Sequence, residues 1–233
     1  MPTDSSIGRP LFSVVFLWMA ISFNVCLLAS NLFAVKVFQL WDWCVLPGAV
    51  VLFPISYILN DCLSEVYGYR KTRLVIWTGF AMNFLFVIFA YIVIALPGAP
   101  FWNGDESFRQ VFGVAPRTVL ASLLAFWVGS TLNAFVLSRM KVSSKGKHFG
   151  LRAILSSLAG ETADSIIFIP IVFWESGIKA IVTMMACQIA AKVLYEVVIL
   201  PFTTIIVRKL KTLEEMDVYD VNISYNPFKI KDI

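Results

Sequence analysis

A small set of ionisable side chains stands in the middle of long apolar runs of this chain, and any chemistry it performs has to begin with them. In the run LSSLAGETADSIIFIPIVF, Ser157, Glu161, Asp164 and Phe168 recur three or four residues apart, so a helix carries them on one face. The two carboxylates then lie one turn apart. Either one of them keeps its proton, or both meet a cation or hydrogen-bond donors. A later run, CQIAAKVLYEVVILPF, places Gln188, Lys192 and Glu196 at intervals of four, a second polar stripe whose ammonium can neutralise Glu196 or a carboxylate of the earlier run. Ionisable groups in an apolar medium are costly and typically face a cavity or a partner. Ser157, Glu161, Asp164, Phe168, Gln188 and Lys192 are therefore read as a binding site, with Glu161, Asp164 and Glu196 as candidates to hold a coupled proton.

Other polar groups fall inside apolar runs. Asn24 and Asn31 share a face of the first run, Asn83 and Asn133 stand singly, and Asp61 lies one turn before Glu65, beside Asn60. Most isolated membrane amides and hydroxyls tie helices together, and that is the reading for Asn24, Asn83 and Ser122. Asn31, Asp61 and Asn133 join the candidate binding set. Asp61 and Glu65 are close in sequence to Arg70, Lys71 and Arg73, so a surface ion pair accounts for them equally well. Catalytic constellations are missing. The one histidine, His148, sits in a basic loop, with no Ser/His, Cys/His or HExxH arrangement. Cys26, Cys44, Cys62 and Cys187 form no CxxC pair, so neither a metal site nor a redox centre is expected, and no cofactor.

The elements that must position these groups follow from composition. The 233 residues are 59% hydrophobic and 15% charged, with a mean hydropathy of +0.80, outside the range of a water-soluble domain. Apolar runs fall near 11–38, 43–66, 72–97, 117–138, 150–173 and 178–207, each long enough to cross a bilayer core of about 30 Å. Long uncharged runs in lipid must satisfy their own backbone groups. The fold class predicted is an all-α membrane protein, a bundle of six transmembrane helices over residues 1–210 with a short polar tail over 211–233. The first run, apolar from Leu11 to about Val35, reads as a retained span and not as a cleaved signal. Arg9, Arg70, Lys71, Arg73, Arg139, Lys141, Lys145, Lys147, Arg152, Arg208, Lys209 and Lys211 alternate with charge-poor connections, which puts both termini in the cytoplasm. The aromatic loop at 98–116 is then external and rests on the outer interface. The net charge of +4 reports topology and contact with lipid headgroups; nucleic acid is not expected as a partner.

The segment LFPISYILNDCLSEVYGYRKTR, together with ILSSLAGETADSIIFIPIVFW, resembles the paired signatures of the queuosine-precursor transporter family, also grouped with vitamin-uptake-like transporters. ASNLFAVK, RTVLASLLAFWVG and the stretch from Lys192 to Pro201 support it. The resemblance implies six helices in a bacterial inner membrane. It also implies import of 7-deazaguanine bases, namely 7-cyano-7-deazaguanine, 7-aminomethyl-7-deazaguanine or queuine, for the modified tRNA nucleoside queuosine. Such a base presents an N–H and an amino group side by side, which a carboxylate accepts together, and an O6 that needs a donor. Asp164 or Glu161 suits the first role and Lys192 the second. Phe168, Trp127 or Trp18 could stack on the ring.

Two other functions use the same features. One is a substrate-capture subunit of an energy-coupling-factor vitamin importer; the chain has no GxxxxGK[ST] motif, so ATP would be used by a separate ATPase module. The other is an ion or proton channel built on the same carboxylates. The partners compatible with the chain are the purine-like base, membrane lipid, a second copy in a homodimer, and that ATPase.

Overall fold

The computed structural model describes residues 13–34, 36–41, 44–113 and 116–229. Arg9 and the first residues of the first apolar run lie outside them. The order is α1 (Val14–Phe33), a hairpin of β1 (Val37–Trp41) and β2 (Cys44–Pro47), α2 (Phe53–Ala95), α3 (Asp105–Phe112), α4 (Pro116–Ser143), α5 (Phe149–Val172) and α6 (Ile178–Glu214). Among the described residues, five stretches are long and apolar enough to cross a membrane: Val14–Phe33, Gly48–Ala95, Asp105–Ser143, Phe149–Val172 and Ile178–Glu214. At 1.5 Å per residue the shortest of them, α1 with 20 residues, is about 30 Å long. The surface is inverted relative to a soluble protein. Trp18, Phe89, Leu194 and Phe202 are exposed, while Glu65, Arg152 and Glu161 are buried.

Among the described residues the fold is all-helical as expected apart from this one short hairpin. The hairpin occupies the end of the first apolar run and the start of the second, pairing Val37 with Pro47 and Phe38 with Leu46 in antiparallel register. A run of Val, Phe, Leu and Trp suits a strand as well as a helix, and apolar content alone does not separate the two. The start of α1 is fixed locally, where the Ser13 hydroxyl accepts the Phe16 N–H at 3.0 Å.

α2 is continuous in hydrogen bonding but not in direction. Gly48, just before it, abuts the Phe33 carbonyl in the last turn of α1. Tyr67 instead meets Phe16 in the first turn of α1, ring to ring at 5.0 Å. Further on, Asn83 accepts from Asn31 at 2.8 Å, again near the end of α1. Residues 48–67 therefore run from the end of α1 to its start, and residues 69–83 run back. The reversal falls on Gly68, whose φ of +83° and ψ of 168° are open to glycine and strained for any L side chain. We call the limbs α2a (53–67) and α2b (69–95).

One end of the bundle is basic and locked by charge. Glu65 of α2a, with no side-chain exposure, accepts two bonds from Arg152 of α5 at 2.6 and 3.0 Å and one from Lys211 of α6 at 2.7 Å. Lys141 of α4 stands 3.9 Å away. The sequence pairing of Glu65 with Arg70, Lys71 or Arg73 is thus replaced. Arg70 is exposed, Lys71 lies over the Phe16 and Tyr67 rings, and Arg73 donates to the Asn226 carbonyl at 2.7 Å.

That last bond belongs to the C-terminal tail, expected as a partly ordered extension. The tail folds back along α2b. Asp220 caps the new helix start, accepting from the Tyr69 N–H at 2.8 Å and from Ser138 at 2.5 Å. Trp77 donates to the Pro227 carbonyl at 2.7 Å, and Phe228 lies against Trp77 and Trp127. Asp217 meets Lys141 at 2.5 Å and Lys211 at 2.9 Å. Burial acts to raise its carboxyl, but the hydrogen bonds and charge of the two ammonium groups outweigh this and hold it below its ordinary value.

Glu65→Gln leaves Arg152 and Lys211 buried or half-buried without their shared carboxylate. Thermal unfolding in detergent should show a loss of about 3–5 kcal/mol, the usual cost of stranding one partner of a buried pair. Arg70→Gln, at an exposed position, should shift the transition little; equal effects of the two substitutions would remove the lock from this description.

Candidate functional site

α2a, α4 and α5 present polar groups at steps of three to five residues, about one helical turn, on the faces they turn to one another, and α6 adds Lys192 and Glu196 one turn apart and Lys211 farther along. Contacts across the helices sort these groups into three tiers. The tier at the basic end is the Glu65, Arg152, Lys141 and Lys211 cluster already described.

The tier farthest from that end centres on Lys192 of α6. Its ammonium lies 2.5 Å from Glu161 and 2.9 Å from Asp164, both on α5, and all three side chains are about nine-tenths buried or more. Two carboxylates against one ammonium make a tier that is balanced only in part. Tyr57 of α2a brings its ring within 6.0 Å of the ammonium, close enough for a cation–π contact. Gly129 of α4 and Gly160 of α5 create the room. A Cβ on Gly129 would come within 2.9 Å of both the Gly160 carbonyl oxygen and the Tyr57 hydroxyl; one on Gly160 would come within 2.7 Å of the Gly129 carbonyl. Backbone thus meets backbone, the close approach that small residues permit between membrane helices.

The middle tier holds Asn60 and Asp61 of α2a, Ser130 and Asn133 of α4, Ser157 of α5 and Glu196 of α6. Asn60 donates to the Ser130 carbonyl at 3.2 Å, and Asn133 donates to the Ser157 hydroxyl at 3.2 Å. Asn133 also lies beside Asp61, and Ser157 beside Glu196.

The sequence-derived set is therefore brought together for the most part. Glu161, Asp164 and Lys192 form one tier; Asp61, Asn133, Ser157 and Glu196 form the next. Phe168 and Gln188 are half-buried, each one turn from the Lys192 tier on the side away from the basic end. Asn31 is engaged elsewhere, donating to Asn83 at 2.8 Å and accepting from Ser122 at 3.1 Å, a helix-tying cluster of α1, α2b and α4. Of the aromatics considered for stacking, Trp18 is 64% exposed on the outer face, and Trp127 packs on Trp77 with ring centres 5.4 Å apart. Tyr57 was missed, although Tyr57, Asp61 and Glu65 follow one another at intervals of four.

Two surface grooves lie away from this site, one of them lined by Trp102, Asp105, Phe108 and Arg109. The other, lined by Leu158, Ala186, Ile189 and Val197, is apolar and suits a lipid chain. Among the described residues no group of acidic, histidine or cysteine side chains is placed to hold a metal ion.

Comparison with known proteins covers the same segments. The profile of the family described as "Putative vitamin uptake transporter" matches residues 47–206, from the end of the hairpin into α6. A protein of Bacillus subtilis (strain 168) named "Probable queuosine precursor transporter" is 28% identical over 160 residues, 68% of each chain. The "Queuosine precursor transporter" of Escherichia coli (strain K12) is 25% identical over 124 residues, 53% of each chain. A third, from Haemophilus influenzae, named "Probable queuosine precursor transporter", is 26% identical over 53% of this chain and 50% of its own. The chain thus spans about two thirds of the first relative and about half of the other two. No solved structure matches it.

Gly160→Ala places a methyl against the Gly129 backbone, which cannot yield as a side chain can. It should lower the unfolding free energy by about 1–3 kcal/mol, as overpacking does. Gly150→Ala, whose Cβ would meet only the Leu200 side chain, should be tolerated; the reverse order in thermal unfolding would refute the backbone crossing.

Proposed function

Since the chain belongs to the vitamin uptake transporter family, we propose that it is a membrane importer of 7-deazaguanine precursors of queuosine. The relatives named as queuosine precursor transporters support the substrate class. The observation that carries the mechanism is the buried Glu161, Asp164 and Lys192 tier at mid-length of the bundle. One carboxylate accepts the adjacent N–H and amino groups of a guanine-like base together, and the ammonium donates to O6. Asp164 takes the paired donors. Ser157 and Asn133 border the base on the side of the basic end, and Phe168 and Gln188 on the other. The reading assigns these groups to binding and gives none of them a catalytic role.

The importer has six spans. The reversal at Gly68 supports counting α2a and α2b as separate crossings, α2a continued by the turn at Gly48–Val51. The start of α1 and the end of α6 both lie at the basic end, which supports cytoplasmic termini in a bacterial inner membrane. The loop at 98–113 is external, where α3 stacks Phe112 on Phe86 of α2b.

A reporter active only in the cytoplasm should work when fused after Ile233, and one active only outside should work within the 98–104 loop. Activity of the outside reporter at the C-terminus would overturn the six-span topology.

Uptake is tested in a cell without its own synthesis or import of 7-deazaguanines, given this chain and each base separately. Queuosine should return to its tRNA with at least one base. Asp164→Asn should cut this by tenfold or more at unchanged membrane content, since the amide replaces one acceptor with a donor. Near-normal queuosine in that variant would remove Asp164 from the ligand's partners.

A further inference from the structure

Among the described residues the middle tier holds no cation, whereas each of its neighbours does. Lys192 stands between Glu161 and Asp164, and Glu65 meets three cations. Asp61 and Glu196 are 2% and 8% exposed, and among the described residues neither takes part in an ion pair. The groups beside them are uncharged, Asn133 at Asp61 and Ser157 at Glu196. Asn133 donates to Ser157 at 3.2 Å, so the four side chains sit together where α2a, α4, α5 and α6 meet.

The tier is short of donors as well as of positive charge. Asp61 Oδ1, Asn60 Oδ1, Asn133 Oδ1 and Glu196 Oε1 are buried acceptors without a partner. Turning the Asn60 amide does not help, because its nitrogen is held by the Ser130 carbonyl, which can only accept. The charged groups around the pair are Glu161, Asp164 and Lys192 with Tyr57 on one side, and Glu65 with Arg152 on the other. α4 contributes only neutral Ser130 and Asn133 here. One added proton supplies both missing quantities, a positive charge for two carboxylates and a donor for one of the orphaned oxygens.

We propose that Asp61 and Glu196, grouped with Asn133 and Ser157, hold one shared proton and form the proton site of this protein, distinct from the ligand carboxylates Glu161 and Asp164. This deepens the importer reading and rests on it for the site's role in transport. The proton's seat lies one turn from the ligand tier and one turn from the ion-pair lock, on the polar column that a base must follow towards the basic end. The coupling expected from sequence at Glu161, Asp164 and Glu196 is thereby moved to Asp61 and Glu196.

The test reads the proton directly. The purified full-length protein in lipid nanodiscs, without ligand, is stepped in pH and followed by infrared difference spectroscopy. The wild type should show the C=O band of a protonated carboxyl that fades on raising the pH. The band should disappear in the Asp61→Asn, Glu196→Gln double variant, weaken at a given pH in each single variant, and survive in Glu161→Gln. Ser157→Ala, which leaves both carboxyls in place, should shift its frequency and keep the proposal testable if the double variant does not fold. Persistence of the band in the double variant, its loss in Glu161→Gln, or a spectrum that responds to sodium at fixed pH would overturn the proposal. Uptake of each base into vesicles is measured on the same preparations. An intact band without uptake of any base defeats the importer reading and leaves the proton site standing; uptake that ignores an imposed pH gradient separates the site from transport.

Discussion

Lys192 reaching Glu161 and Asp164, and Arg152 reaching Glu65, are contacts between helices, and the arrangement of the bundle depends on such pairs. In an apolar interior an unpaired charge is costly, so a carboxylate on one helix fixes where the next helix must bring its cation. Apolar packing cannot do this work by itself, because lipid tails are as apolar as Leu and Val and give helices little reason to prefer one register over another. Glu65 therefore specifies position for α5 and α6 together, with Lys141 of α4 close by. Asp217 extends the lock into the tail, which carries Asp220 to the start of α2b.

The charge pairs demand short distances between helix axes, and glycine supplies them. Gly129 and Gly160 bring α4 and α5 into backbone contact at the level where α5 offers Glu161 and Asp164 to Lys192. Gly68 has a different duty. It reverses the chain between α2a and α2b, and Val218 and Asp220 of the tail occupy the space that a side chain there would fill. The turn, its cap and the tail are one construction, so the C-terminal residues are part of the bundle's basic end.

Legibility in the sequence followed from periodicity. Glu161, Asp164, Lys192 and Glu196 were visible because charges in apolar runs are rare and their spacing fixes the face they share. Gly68 falls in the gap between the apolar runs near 43–66 and 72–97, but the single-residue reversal there depends on backbone angles. The hairpin was hidden because Val37–Trp41 and Cys44–Pro47 are as apolar as the helices they join. Partner choice was the least legible property. Glu65 passes over Arg70, Lys71 and Arg73, its neighbours in the chain, for Arg152 and Lys211, which only the tertiary fold brings near. Asn31 and Asn133 look alike in sequence, yet one ties α1 to α2b and α4 while the other donates to Ser157 beside Asp61.

Stacking three polar tiers one turn apart also bears on how a binding site can exist in such a medium. A site built from solvated charges would have to strip water from them each time a ligand arrived. Here Glu161, Asp164 and Lys192 are already buried and already paired through Lys192, so under the proposed importer reading a base would exchange one set of partners for another without a new desolvation of the protein groups. Such an exchange would favour a ligand whose donors and acceptor match the tier at once, because any carboxylate released from Lys192 without a replacement is left as a buried unpaired charge. On that reading selectivity would come from the penalty on partial matches more than from the strength of any one contact.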